Sequence, residues 1–285
     1  GSSFGLLVSL FLVLSGDESA HQVAQTQPVK LAAMEGLYKG EERAGIVAFG
    51  LLNPDKEIGD NQHPIIGEVT IPYALSLLSY HDIDAFVPGL DDLVYGNEKY
   101  NIESASSKMA KGKIALEAFK EYKEAKKKKD LSAMADAEVK LQKYMPYFGY
   151  GYLAEPTDIV PPIALTYYSF HIMVALGSWF IVLFILLLYV VMKKDIEQYR
   201  KVLWLAVLSI PLGYIAAEAG WIVAEVGRQP WAIQDLMPVG IAATQIDAGN
   251  VKISFWIFAV MFTGLLIAEI KIMLAQIKLG FEGGH

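Results

Sequence analysis

The chain has 285 residues, 54% of them hydrophobic, a mean hydropathy of +0.35 and a formal net charge of −7. That is too apolar for an ordinary soluble domain, and mild acidity without a dense basic face argues against nucleic acid as a partner. The lack of cysteine excludes disulfides, cysteine-ligated zinc, iron–sulfur clusters and thiolate haem, and says nothing of compartment.

An apolar run from Phe4 to Leu14 opens the chain. A signal peptide would put positive charge before such a run and an A-x-A-like cleavage site after it, and neither is present. The run predicts a partial transmembrane helix over residues 1–15, the second half of a span that begins outside the sequence. A polar block follows over 16–162. Its first part is irregularly punctuated (NPDKEIGDNQHP, VPGLDDL), with an extended piece expected around Gly67–Ile71. Its second part predicts a helical hairpin over about 107–145, broken at KKKKD, with Asp130 as N-cap. The Lys126–Lys129 run reads as a solvated face, with an anionic-lipid contact as the lesser alternative.

Three full-length apolar segments come next, over 163–192, 202–225 and 251–278. Each reaches the roughly 20 residues that a bilayer core of about 30 Å demands. Backbone polar groups in lipid must be satisfied within the segment, so these are helices. The expected fold class is an all-α membrane protein: a helical bundle with three full transmembrane helices, one partial N-terminal span and a large extracytoplasmic loop domain. Lys193, Lys194, Arg200 and Lys201 place the short connection between the first two full spans in the cytoplasm. Residues 16–162 and the loop over 226–250 then lie outside, and the C-terminal KLGFEGGH inside.

Three stretches carry chemistry. In EAGWIVAEVGRQPW, Glu218, Trp221 and Glu225 share one helical stripe at i, i+3 and i+7. A carboxylate facing lipid costs about 2.5–3.5 kcal/mol on insertion scales, so intramembrane acids face a bundle interior and serve a site. This pair suits a proton path, a cation or a metal, haem iron among them. Arg228 offers a fork that matches an acidic cofactor group such as a haem propionate. The plain alternative is a helix end with ordinary Arg–Glu pairing. In SFHIMVALG, Met173 is by default a packing residue, but it can be an axial thioether to a low-spin haem. His171, two residues away, points to a different face and cannot share an iron with Met173. In VKLAAMEG, Lys30, Met34 and, less well, Glu35 lie near one face of a helix. An acid and a base at a membrane surface suit a quinol headgroup, one holding an oxygen and the other taking a proton. A surface helix with a loose ion pair is the alternative.

Together, and in this order, these stretches resemble the C-terminal half of subunit I of the cytochrome bd-type quinol oxidases. GWIVAEVGRQPW resembles that family's signature; GDES, KLAAME, FGLLNP and IPYALSLL resemble its outside quinol-binding loop, the Q-loop; FHIMVALG resembles its haem-ligand segment. The resemblance runs from Gly16 to about Ile277 and is weakest between about Asn97 and Tyr144. It implies a quinol:O2 oxidoreductase that generates proton motive force in a prokaryotic plasma membrane. It implies Met173 as ligand of haem b558 and Glu225 as ligand of haem b595. Trp221 and Arg228 would line the latter region, and Glu218 is counted with them for its place on the stripe. Lys30 and Glu35 would serve quinol oxidation. Haem d would be partly ligated by residues outside this chain. The implied partners are the missing N-terminal half of subunit I or an equivalent chain, subunit II, small accessory subunits, membrane lipid and quinol. The sequence departs from the pattern at His171, where an arginine is expected, and in lacking the N-terminal half. Two rival readings stay open: a non-catalytic paralogue needed for assembly, and a transporter-like subunit using the buried acids.

Overall fold

The computed structural model describes residues 1–193, 196–244 and 246–279. Helix α1 (Ser2–Thr26) starts in the apolar run and does not stop where the polarity changes. Gly16–Thr26 continue the same helix, because nothing in GDESAHQVAQT removes a backbone donor; the helix ends only at Gln27, before Pro28. The proline then opens α2 (Pro28–Glu35) at its first turn, where its missing N–H is no loss. Gly36, at φ +65°, closes α2 in the left-handed conformation, its N–H bonded to the Ala32 carbonyl.

The loop domain continues with β1 (Glu41–Glu42), β2 (Ile46–Leu52), β3 (Ile65–Ile71), α3 (Ala74–Tyr80), β4 (Phe86–Val87) and α4 (Leu90–Tyr95). β2 and β3 form an antiparallel ribbon with Ile46 opposite Ile71 and Leu52 opposite Ile65, and β1 pairs with β4. α2 sits at the centre. Leu31 packs with Ala44, Leu75 and Val87, while Ala32 and Ala33 pack with Tyr38, Leu90 and Leu93.

Next comes a helical hairpin, α5 (Ala105–Lys128) and α6 (Leu131–Tyr144). Ser104 caps the first helix, and Asp130 caps the second by accepting from the Ser132 and Ala133 N–H groups at 3.1 Å each. A 3-10 run over Met145–Tyr152 folds back along α5, with Gly112 and Gly151 in backbone contact; a Cβ on either would overlap the other.

α7 (Ile163–Met192) and α8 (Arg200–Val226) pack antiparallel: Met173 faces Gly220, Trp179 Nε1 donates to Ser209 Oγ at 3.0 Å, and Phe180 faces Gly213. α1 lies against α7, with Gly5 on Phe184. Beyond α8, the stretch expected as a plain outside loop holds an antiparallel ribbon, β5 (Trp231–Ile233) and β6 (Met237–Pro238), and a short α9 (Val239–Ala242). The ribbon docks on the 3-10 run. The Gly149 N–H donates to the Asp235 carbonyl at 2.9 Å, Tyr150 O–H donates to Asp235 Oδ1 at 2.8 Å, and Tyr150 packs on buried Trp231.

α10 (Ala248–Leu279) is a separate unit, a single apolar helix of 32 residues. Helices α1, α7, α8 and α10 are long and apolar enough to cross a membrane. The first of these is a 25-residue helix whose apolar half coincides with the partial span expected over residues 1–15. Lys194 and most of the C-terminal KLGFEGGH, on which the expected orientation partly rests, lie outside the described residues.

Candidate functional site

α2 is not a surface helix. Five of its eight residues, Leu31 to Glu35, are buried, and its two expected site residues point different ways. They lie five positions apart, about 140° around a helix of 3.6 residues per turn. No ion pair joins Lys30 to Glu35 among the described residues. Glu35 is 3% exposed, and its Oε2 is buried without a hydrogen-bond partner. Burial pushes its carboxyl up to about 8 from 4.5, because the charged form loses water and gains no partner.

Lys30 turns toward the end of α8. Its Nζ donates a long bond, 3.4 Å, to the Ala224 carbonyl, in the last turn where helix carbonyls are unpaired and attract cations. Its stem lies over Gly227: a Cβ there would stand 3.3 Å from Lys30 Cε. Burial first, then the Arg228 guanidinium, holds this ammonium below its ordinary value, with Glu225 opposing. The fold thus brings Lys30, Glu225 and Arg228 together, across 194 residues of sequence between Lys30 and Ala224.

On α8, Arg228 Nη2 donates to Glu225 Oε2 at 2.7 Å, one turn back along the chain. That is the ordinary pairing the sequence left open, and it uses one edge of the guanidinium; Arg228 Nε is buried with no acceptor. Glu218 and Glu225 are exposed and Trp221 is 65% exposed, whereas Ser209, Ala219 and Val223 bury the face turned to α7. Met173 is half-buried in the α7–α8 seam, its sulfur 3.0 Å from where a Gly220 Cβ would be. Met173 and Glu225 therefore lie at different faces of α8.

His171, on α7, reaches the loop domain. Its Nε2 lies 2.8 Å from the Val47 carbonyl, its Nδ1 lies 2.9 Å from the Tyr167 carbonyl, and the ring packs on Tyr167. Tyr167 O–H donates to the Gly50 carbonyl at 3.2 Å, and Tyr168 Oη accepts from the Leu52 N–H at 3.1 Å. A cavity of about 470 Å³ opens nearby, lined by Tyr38, Asn53, Lys56 and Tyr168 among others. Neither Lys30 nor Glu35 lines it, and the Lys56 ammonium is already satisfied by the Glu57 and Asp60 carbonyls and the Asp60 carboxylate. It stands apart from the candidate site.

Among the described residues no three His, Asp or Glu side chains converge as a metal cage requires. A haem iron, held by its macrocycle, asks for one or two axial side chains instead. The donor set fits that demand: a thioether on one apolar helix, a carboxylate on another face, and a guanidinium with an unpaired edge beside it.

The family described as cytochrome bd terminal oxidase subunit I matches residues 1–281. The chain belongs to the cytochrome bd subunit I family. Cytochrome bd-II ubiquinol oxidase subunit 1 of Escherichia coli (strain K12) is 33% identical over 294 aligned residues, covering 98% of this chain and 54% of that protein. Cytochrome bd ubiquinol oxidase subunit 1 of Bacillus subtilis (strain 168) is 27% identical, covering 98% of this chain and 47% of that protein. A solved bd oxidase structure from Geobacillus thermodenitrificans aligns with a TM-score of 0.57 at 25% identity, over 96% of this chain and 47% of that chain. This cytochrome bd subunit I chain spans about half the length of the relatives it matches.

Three features of the cytochrome bd chain escaped the sequence reading: the aromatic clamp from α7 onto β2, the β5–β6 ribbon, and the approach of Lys30 to α8. The clamp had a signal, three polar-tipped rings at 167, 168 and 171 on one turn of an apolar helix. The ribbon had a weaker one in the Gln-Asp pair at 234–235, where Asp235 takes φ +59°.

Proposed function

We propose that the chain is the haem-bearing part of subunit I of a quinol-oxidising, O2-reducing terminal oxidase. The single observation that carries this reading is the buried Glu35. Its free carboxyl oxygen lies on the same short helix whose Lys30 reaches the Glu225–Arg228 end of a membrane-length helix. A proton acceptor and the expected ligand region are thus part of one packed unit.

Burial pushes the Glu35 carboxyl up to about 8, which favours its protonated form at neutral pH. Such a carboxyl donates a hydrogen bond to a quinol oxygen in one form and takes the hydroxyl proton in the other. Lys30, half-buried and beside a second cation, favours negative charge nearby and so steadies the deprotonated headgroup. Met173 would hold haem b558, and Glu225 would hold haem b595. Bound haem supplies the one-electron chemistry and, with haem d, the reduction of O2 to water. Arg228 keeps Glu225 oriented through one edge, and its unpaired Nε is suited to an acidic cofactor edge. Trp221 and Glu218, exposed on the same stripe of α8 as Glu225, extend that face.

In this reading residues 16–162 are the extracytoplasmic Q-loop and the C-terminus is cytoplasmic. Quinol protons leave outside and protons for water enter from inside. The remaining half of subunit I, or an equivalent chain, and subunit II complete the complex and supply the other axial ligands. The test is a reduced-minus-oxidised spectrum of the assembled complex, with oxygen uptake driven by quinol and by an artificial one-electron donor. Glu35→Ala or Lys30→Ala should depress the first rate and spare the second. Equal loss with both donors rejects the quinol-site assignment.

A further inference from the structure

His171 stands where the resemblance implies an arginine, and its geometry gives it a task of its own. It is anchored on the turn of α7 that precedes Met173, and its Nε2 bonds the Val47 carbonyl, 124 residues away in sequence. Nδ1 also lies 2.9 Å from a carbonyl, that of Tyr167 in the same helix; the Nε2–H tautomer is the one that ties α7 to β2. Two further ties from the same turn, at Tyr167 and Tyr168, fix Gly50 and Leu52. β2 in turn bounds the acid-bearing helix: a Cβ on Gly36, the residue after Glu35, would touch the side chains of Leu52, Tyr167 and Ile65 at 3.2–3.3 Å. Val47, Ile65 and Tyr167 form one small buried cluster at this junction. His171 therefore stands at the join between the loop that carries Glu35 and the helix that carries Met173.

We propose that His171 is a positioning residue. Its Nε2–H docks strand β2 on α7, and this dock holds the Glu35 end of α2 in register with the Met173 helix. The structural part rests on the hydrogen-bond geometry; its consequence for turnover rests on the function proposed above. Loss of the donor frees a strand whose outer face is already exposed at Phe49 and Leu51, so the strand loosens and the helix stays.

Two near-isosteric amides separate the nitrogens of the ring. A glutamine amide reaches about as far from the backbone as Nε2, and an asparagine amide only as far as Nδ1. In the purified, assembled complex, amide exchange of residues 46–52 should quicken roughly fivefold in His171→Asn, the effect of one lost hydrogen bond of ordinary net strength. His171→Gln should stay near the wild-type rate. The quinol KM should rise in His171→Asn and recover in His171→Gln, while the reduced low-spin haem spectrum keeps its intensity in both. Unchanged exchange in His171→Asn, or equal loosening in both variants, overturns the dock. Faster exchange with an unchanged quinol KM overturns the positioning role and leaves the quinol-site assignment standing. The exchange measurement needs no quinol turnover, so a complex that oxidises no quinol rejects the proposed function without obscuring the dock. If His171→Asn fails to assemble, His171→Leu, which keeps apolar volume without a donor, takes its place with the same expected outcomes.

Discussion

Glu35 is 3% exposed, whereas Glu225 has half of its side chain open. The first sits in a loop domain that encloses it with side chains of its own chain, so its perturbation follows from burial alone. The second stands on a membrane-length helix with Glu218 and Trp221, on the face turned away from α7. A soluble surface would explain such exposure at no cost. A bilayer does not, since a lipid-facing carboxylate is expensive and must be covered by protein, water or cofactor. The loop carboxylate is enclosed by side chains of this chain, whereas the carboxylates of α8 are not.

The sharpest way to break that contrast is to remove the two expected iron ligands. Met173→Leu should abolish the low-spin b558 signal of the assembled complex, while packing costs stay below about 1.5 kcal/mol because volume and apolarity are kept. Glu225→Gln should abolish or strongly weaken b595, and with it oxygen uptake, while leaving b558 reducible by quinol. A Glu225→Gln complex with full b595 absorbance would make this carboxylate a partner of Arg228 and nothing more.

Glu35→Gln addresses the other side of the comparison. Quinol-driven uptake should fall roughly 100-fold, the low end for a lost general base. Its effect on stability has a definite sign. The folded carboxyl titrates near 8 and the unfolded one near 4.5, so the folded state binds the extra proton between those values. Its contribution is intact below about pH 4.5 and is lost as pH rises through about 8. Thermal unfolding of the loop domain followed from pH 5 to 9 should show that decline in the wild type and lose it in Glu35→Gln. An unaltered slope would mean that Glu35 is solvated in the assembled protein.

Lys30→Ala should cost roughly tenfold in quinol-driven uptake, the size of one charge-assisted contact, with haem content unchanged. The smallest effect is expected of Arg228→Lys. The charge stays and the fork is lost, so the high-spin band should shift or broaden by more than the low-spin band, with activity reduced a few-fold. A larger disturbance of b558 would move Arg228 from the Glu225 region to the Met173 region.

Hydropathy placed the spanning segments, because roughly 20 apolar residues in a row have few other uses. The polar half of α1 is helical for a reason invisible to hydropathy: no residue before Pro28 interrupts the backbone ladder. The candidate site residues stood out as residue types at helical spacing, and family membership was legible in the order of the motifs. Their surroundings were not. Lys30 and Glu35 looked like neighbours on one surface, yet the fold buries one and sends the other to α8. His171 could be read as unable to share an iron with Met173, but nothing local named Val47 as its partner.

By itself, then, the sequence determined the membrane-length helices, the capped hairpin and the candidate donors. These follow from local hydrogen bonding, apolar periodicity and side-chain chemistry, which act over a few residues. Only the tertiary structure decided which carboxylate is starved of water, which lysine meets the end of α8, and which α7 side chains clamp β2. Desolvation and long-range hydrogen bonds depend on residues as much as 194 positions apart, and no local pattern records which of them will meet.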